Sequence, residues 1–205
     1  MATVDQLLEE HADVWRAATH HQFLDGVRDG SLAPHAFLRW LAQDYLFAAD
    51  LMRFQARLLA RAPRFAQAVL ASGVVALEAE LSWFERHARE RGVELEGERL
   101  QPTETYRACL ERLDNGPYEP AIVALWALER AYLEAWQSAR PGAPVFREFV
   151  EHWTVPAFGE YVCELQRAAN AAQDNADPIV IERTFVEIAQ LERAFWDMAL
   201  VEEGR

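Results

Sequence analysis

Apolar residues recur along this chain at three- and four-residue intervals, the spacing that aligns one face of an α-helix. In "FLRWLAQDYLFAADL", residues 37–51, the stripe is Phe37, Trp40, Leu41, Phe47, Ala48 and Leu51. Residues 119–136 repeat the pattern with Ile122, Leu125, Trp126, Tyr132, Leu133 and Trp136. The C-terminal segment repeats it with Phe185, Ile188, Phe195, Trp196 and Ala199. Punctuation divides the remainder. Thr3 and Gln6 have capping-box spacing and open a helix predicted to run through Trp15. Gly26 and Gly30 interrupt the next segment, and Ser31 and Pro34 start a long helix that ends at Ala62, because the following proline disfavours helical geometry there. Further helices are expected over 64–91, 104–113, 119–136, 146–153 and 156–172, and from Pro178 or Ile179 to Val201, the last after a polar loop, "AQDNADP". No alternating strand pattern and no fixed-period repeat is present, so the predicted class is all-α, with residues 1–205 as one domain.

Each of the three stripes contains one residue that contradicts it. Asp44 sits mid-stripe, and Glu129 and Glu192 occupy the corresponding places in their helices. A buried carboxylate without a partner loses hydration worth roughly several kcal/mol, so it must be paired, hydrogen-bonded or protonated. Arg130 or Arg193 could supply counter-charge for individual acids. Three acids on three aromatic-rich faces favour instead a shared polar pocket. The 11% content of Phe, Trp and Tyr can wall a flat ligand as well as fill a core. Such a pocket suits a planar nitrogen heterocycle, whose ring nitrogens and amino groups bond carboxylates while its faces stack. Glu80, in "EAELSWF", is a further acid for which surface exposure is an equal expectation.

Charge and composition narrow the classes. The formal net charge is −13, and no basic cluster suited to phosphates is present, so nucleic acid is not an expected partner. Every one of the 20 basic residues is arginine, which removes mechanisms that need a lysine Schiff base or a P-loop lysine. Cys109 and Cys163 lie far apart without metal or redox spacing. The acidic, amphipathic N-terminus does not resemble a targeting peptide, and no unbroken apolar run reaches bilayer length, so a cytoplasmic protein without a membrane partner is expected. None of the six histidines follows a glutamate by three residues, as a ferritin-like di-iron site requires. His20 or His21 as a haem ligand is weaker than a capping or surface role, and no serine or cysteine sits in a nucleophile elbow. No metal or cofactor is expected.

Two segments carry a likeness. "HQFLDGVRDGSLAPHAFLRWLAQDYLF", with its His-x-Phe, Gly-x-Leu and Gln-Asp-Tyr in that order, and "FVEIAQLERAFWDMAL" together resemble the TenA or thiaminase II family. The resemblance implies the haem-oxygenase-like all-helical fold, pyrimidine fragments of thiamin as substrates, and a homotetrameric or dimeric assembly. It implies that Asp44 grips the pyrimidine ring nitrogen and amino group and that Glu192 works opposite it. Tyr132 would stand near the reactive carbon and Tyr106 would be a second ligand-facing tyrosine. The family's main branch carries a nucleophilic cysteine, but here "LWALERAY" places Leu128 at that position. Phe47 and Trp153 stand where the main branch has tyrosines. The chain therefore resembles the cysteine-lacking branch, with Glu129 as its glutamate and salvage of degraded thiamin as its role. In that reading Glu192 and Glu129 share acid and base duties, and Phe47, Tyr132 and Trp153 wall the ring. A non-catalytic pyrimidine-binding protein and a relative of the PQQ-synthesis enzymes are the alternatives.

Overall fold

A computed structural model describes residues 3–173 and 176–201. Asp174 and Asn175, within the polar loop expected before the last helix, lie outside the described residues. Ten α-helices and no strand occur among the described residues: α1 (Val4–Glu10), α2 (Ala12–Thr19), α3 (Gln22–Asp29), α4 (Pro34–Arg61), α5 (Gln67–Arg91), α6 (Gln101–Asp114), α7 (Tyr118–Ser138), α8 (Arg147–His152), α9 (Pro156–Ala172) and α10 (Pro178–Leu200).

The local signals act as their chemistry dictates, with three adjustments. Thr3 N–H donates to Gln6 Oε1 at 2.7 Å, the backbone half of the expected capping box. The helix does not continue to Trp15, however. It breaks at His11 (φ −115°, ψ 31°), and the re-aimed α2 lays Trp15 against Phe185 with ring centroids 5.2 Å apart. Before α5, residues Arg64–Ala66 form a 3₁₀ turn, and α6 begins at Gln101, three residues earlier than expected, since Pro102 is tolerated in a first turn. Elsewhere punctuation holds. Gly30 closes α3 with φ +85°, a left-handed cap that a side chain resists. Ala62 is extended (ψ 144°) ahead of Pro63, and Arg61 of the last α4 turn donates to the Leu113 and Gly116 carbonyls.

Helix α7 is the axis of the bundle. Its residues from Pro120 through Glu129 are all buried, and an α-helix apolar on every side is stable only when surrounded. Helices α2, α3, α4, α6, α9 and α10 all pack on it. Helix α4 packs in turn on α5, α6 and α10, so α4, α7 and α10 meet pairwise along the interior. At one end the indoles of Trp40, Trp136 and Trp153 interlock, Trp40 edge-on to Trp136 at 5.2 Å and Trp136 stacked on Trp153 at 4.7 Å.

By length and composition the segment Arg64–Arg91 could cross a bilayer, where the sequence pattern led us to expect none. Gln67, Ser72, Glu78 and Glu80 interrupt its apolar run, so the pattern does not read as a span. Its packing against α4 and α9 makes it a helix of the bundle. Its outer side is bare, with only 28% of the apolar stretch buried and Val75 70% exposed.

Gly73 of α5 marks the closest approach of three helices. A Cβ there would lie 2.0 Å from Gln55 Nε2 on α4 and 2.3 Å from the Tyr161 hydroxyl on α9. Those atoms are bonded to each other at 3.0 Å, and the Gln55 amide also donates to the Leu70 carbonyl at 3.0 Å. Gly73→Ala is expected to break this junction and destabilise the fold by about 1–3 kcal/mol in thermal or urea unfolding, as overpacking at a fixed contact does. A neutral result would show that Gln55 can move without losing its bonds.

Candidate active site

The three intruding acids converge. Asp44 of α4 (4% exposed), Glu129 of α7 (8%) and Glu192 of α10 (5%) all line one interior cavity. A fourth acid, Glu80 of α5, lines it as well. Phe47, Leu51, Leu77, Leu128, Tyr132, Trp153 and Phe158 supply most of the remaining wall. Helix α4 offers Asp44 because Ala48 and Leu51, one and two turns on, occupy the same inward face. Helix α7 offers the adjacent Leu128 and Glu129 and, one turn on at i+4 and i+3, Tyr132.

The acids are held by aromatic donors. The Tyr132 hydroxyl donates to Asp44 Oδ2 at 2.6 Å, the Tyr106 hydroxyl to Glu192 Oε1 at 2.6 Å, and the Trp153 indole N–H to Glu80 Oε1 at 3.0 Å. Glu129 has no hydrogen-bond partner among the described residues. No arginine among the described residues lines the cavity. Arg130 pairs with Glu134 on its own helix, and Arg193 lies 3.6 Å from Asp197. Counter-charge from those two residues is therefore not what satisfies the acids. Both guanidinium groups are directed to their own helix surfaces, with the Arg130 side chain 30% and the Arg193 side chain 60% exposed, and neither lines the cavity.

Without cations nearby, burial governs the proton affinities. Burial lifts the Glu192 carboxyl to about 7 against the opposing Tyr106 hydrogen bond. It lifts Glu80 to about 7 against the Trp153 bond. Asp44 is raised well above the ordinary carboxylate range by burial and by the neighbouring Glu80 and Glu192, with Tyr132 opposing. Glu129 is raised well above it by burial and then by Glu80 and Glu192, and no hydrogen bond opposes the shift. With values near 7, the Glu80 and Glu192 carboxyls exist in both protonation states at neutral pH, and Asp44 and Glu129 are shifted in the same direction by the same cause. Such a set can donate and accept protons near pH 7, as general acid–base chemistry needs.

Phe47, Tyr132 and Trp153 line the cavity as the sequence led us to expect. Tyr106 does not; it stands behind Glu192, 4.6 Å ring to ring from Phe47, and acts on the site only through its hydrogen bond. Leu128 lines the cavity, and neither cysteine does. Cys109 is buried on α6 with its thiol pushed up to about 12 by burial, and Cys163 is exposed on α9. Glu80 is the residue the sequence reading left aside. Leu77, Glu80 and Phe84 share a face at i, i+3 and i+7, and the burial of both apolar neighbours was the available signal.

The profile of the TENA/THI-4/PQQC family matches residues 8–202. The chain belongs to this family. A TENA-family relative from Glycine max, described as a probable bifunctional TENA-E protein, is 30% identical and covers 94% of this chain and 90% of its own. A second, the aminopyrimidine aminohydrolase of Halalkalibacterium halodurans, is 25% identical and covers 97% and 96%. Among solved structures, a TenA homologue from Pyrococcus furiosus superposes with a TM-score of 0.90 at 30% identity, covering 96% of this chain and 98% of that one. The TENA fold thus extends over nearly the whole chain, from α1 to α10.

The raised Glu192 carboxyl has a stability consequence with a definite sign. Its folded pKa of about 7 exceeds the ordinary 4.5, so the unfolded chain releases this proton first. Stability from this group is complete below about pH 4.5, declines as pH rises to about 7, and stays low above. Glu192→Gln keeps an oxygen for Tyr106 and removes the ionisation. It is expected to raise unfolding free energy at pH 8 by up to about 3 kcal/mol and leave it nearly unchanged at pH 5. Equal urea midpoints for the two proteins at pH 8 would show that Glu192 ionises in the fold as easily as in the unfolded chain.

Proposed function

We propose that this chain is a thiamin-salvage hydrolase that acts on aminopyrimidine or N-formylaminopyrimidine breakdown products of thiamin by carboxylate acid–base catalysis. The observation that carries the reading is the convergence of four carboxyl groups, with no cation and no thiol, in one aromatic-walled cavity. The aminopyrimidine aminohydrolase among its relatives supports the substrate class.

The roles follow from how each acid is held. Asp44, fixed by Tyr132, presents its second oxygen to the ring nitrogen and amino group of the pyrimidine. Phe47, Tyr132 and Trp153 enclose the ring faces. Glu129, bound by nothing else and carrying the proton that burial imposes, gives it to the departing nitrogen. Glu192, oriented by Tyr106, takes a proton from the attacking water. With an amine substrate the exocyclic C–N bond breaks, ammonia leaves, and water's oxygen becomes the new hydroxyl. With the N-formyl substrate water attacks the formyl carbon, and formate and the free amine leave. Neither route needs a thiolate, which accords with Leu128 at the thiol's position. A site for PQQ-type synthesis would draw on His and Arg, and neither lines this cavity. The reading places the enzyme in the cytoplasm.

Purified protein should convert the aminomethylpyrimidine or its N-formyl derivative, followed chromatographically, and leave thiamin intact. Glu129→Gln should lower kcat by about 10²–10⁴-fold, and Asp44→Asn should act mainly on KM. Glu192→Gln turning over at the wild-type rate would remove Glu192 from the chemistry. Binding of all three compounds without conversion would make the protein a pyrimidine binder.

The chain further assembles, in this reading, with copies of itself through the bare outer side of α5. Val75 (70% exposed) and Phe65 (61%) are large apolar groups that a partner surface would cover. Light scattering should give a dimer or tetramer, and Val75→Glu should reduce its size. A monomeric wild type at micromolar concentration would remove this part of the reading.

A further inference from the structure

The inner cavity has a volume of only about 30 Å³, room for roughly two waters, so a ring held by its acids extends into the space beside it. Beside it lies a more open cavity of about 410 Å³, and the two share Leu77, Glu80, Glu129, Trp153 and Phe158 as a common wall. The open side is built from Ser72, Gly73 and Ala76 of α5 and from His152, Val155 and Tyr161. Two of the four acids, Glu80 and Glu129, therefore stand at a junction, while Asp44 and Glu192 line the inner chamber alone.

We propose that Glu80, together with Glu129, forms a subsite at this junction for a cationic amino substituent, and so sets the preference for the amine over its N-formyl amide. The inference rests on the hydrolase reading above and adds a specificity residue to it. Three features carry it. Glu129 is more than nine-tenths buried, faces both cavities and has no hydrogen-bond partner, so its carboxyl group stands ready for a ligand nitrogen. Trp153 occupies one lone-pair position of Glu80 and fixes the carboxyl, leaving its other oxygen free. No positive group faces the junction, since His152, the one basic side chain there, is held neutral with its pKa lowered to about 4 by burial and by nearby His87.

The amine takes the proton that Glu129 gives it, and two of the three donors of the resulting ammonium bridge Glu80 and the Glu129 carboxylate. A formylamide offers one N–H and turns a carbonyl oxygen toward the same two acids. A site built to accept donors discriminates against an analogue that presents an acceptor, because its own groups are left unpaired.

The test compares wild type, Glu80→Gln and Trp153→Phe on the aminomethylpyrimidine and on its N-formyl derivative. Glu80→Gln is expected to lower the ratio of kcat/KM for amine over amide by about tenfold or more. Trp153→Phe, which frees the carboxyl without removing it, should shift the ratio the same way by less. Equal losses on both substrates, or no loss, would overturn the proposal. Calorimetry separates it from the hydrolase reading. If wild type converts neither compound, amine affinity at least tenfold weaker in Glu80→Gln, with affinity for the neutral hydroxymethylpyrimidine unchanged, still assigns the subsite to Glu80. Amine affinities that match in the two proteins, or an amine that wild type does not bind, overturn it.

Discussion

Four carboxyl groups share one low-dielectric chamber with no arginine, lysine or metal-ligand set to balance them among the described residues. Withdrawing a charge from water is the most expensive operation a folded chain performs, and here it is arranged four times over. The arrangement persists because protonation relieves most of it and aromatic donors relieve part of the rest. Tyr106, Tyr132 and Trp153 are simultaneously core residues and hydrogen-bond donors, which is the combination that lets an acid sit among rings. The hydrophobic surroundings that make the fold stable are thus the cause of the proton affinities that make the site reactive. An acid left in such a place lowers stability, and a folded chain that keeps it has traded stability for activity.

Much of this was legible in the sequence. Asp44, Glu129 and Glu192 each break a helical stripe, and a stripe states which side of a helix is buried without reference to any other part of the chain. Their convergence could only be inferred from the three stripes together, since it depends on how α4, α7 and α10 rotate against one another. Glu80 was missed for a related reason. Helix α5 is covered on one side only, so Val75, Ala76 and Ala79 weaken its stripe and Glu80 reads like an exposed acid beside Glu78. The break at His11 follows from the packing of Trp15 on Phe185, a contact between residues 170 positions apart that no local signal encodes. Tyr106 aligned with the ligand in the sequence pattern, yet a position one layer behind the wall differs from one in it by only a small rotation of α6.

Under the function proposed above, Leu128 stands at a thiol position and the fold keeps its substrate class while changing its chemistry. In that reading recognition of the flat heterocycle rests on Asp44 and the surrounding rings, and the bond-making step on whichever group stands near the reacting atom. The proposal thus leaves recognition intact without a nucleophile and assigns the chemistry to water and to acids already present.

The complete burial of α7 has a consequence for how the chain comes to be made. Its coverings come from both directions in the sequence: α2, α3, α4 and α6 precede it, while α9 and α10 follow. During synthesis from the N-terminus, α7 leaves the ribosome before α9 and α10, two of the helices that cover it, exist. The nascent chain must therefore shelter an apolar rod until α10, Pro178–Leu200, has been made. A product truncated even one helix short would expose that rod permanently, and quality-control factors that bind extended apolar surface would meet it first.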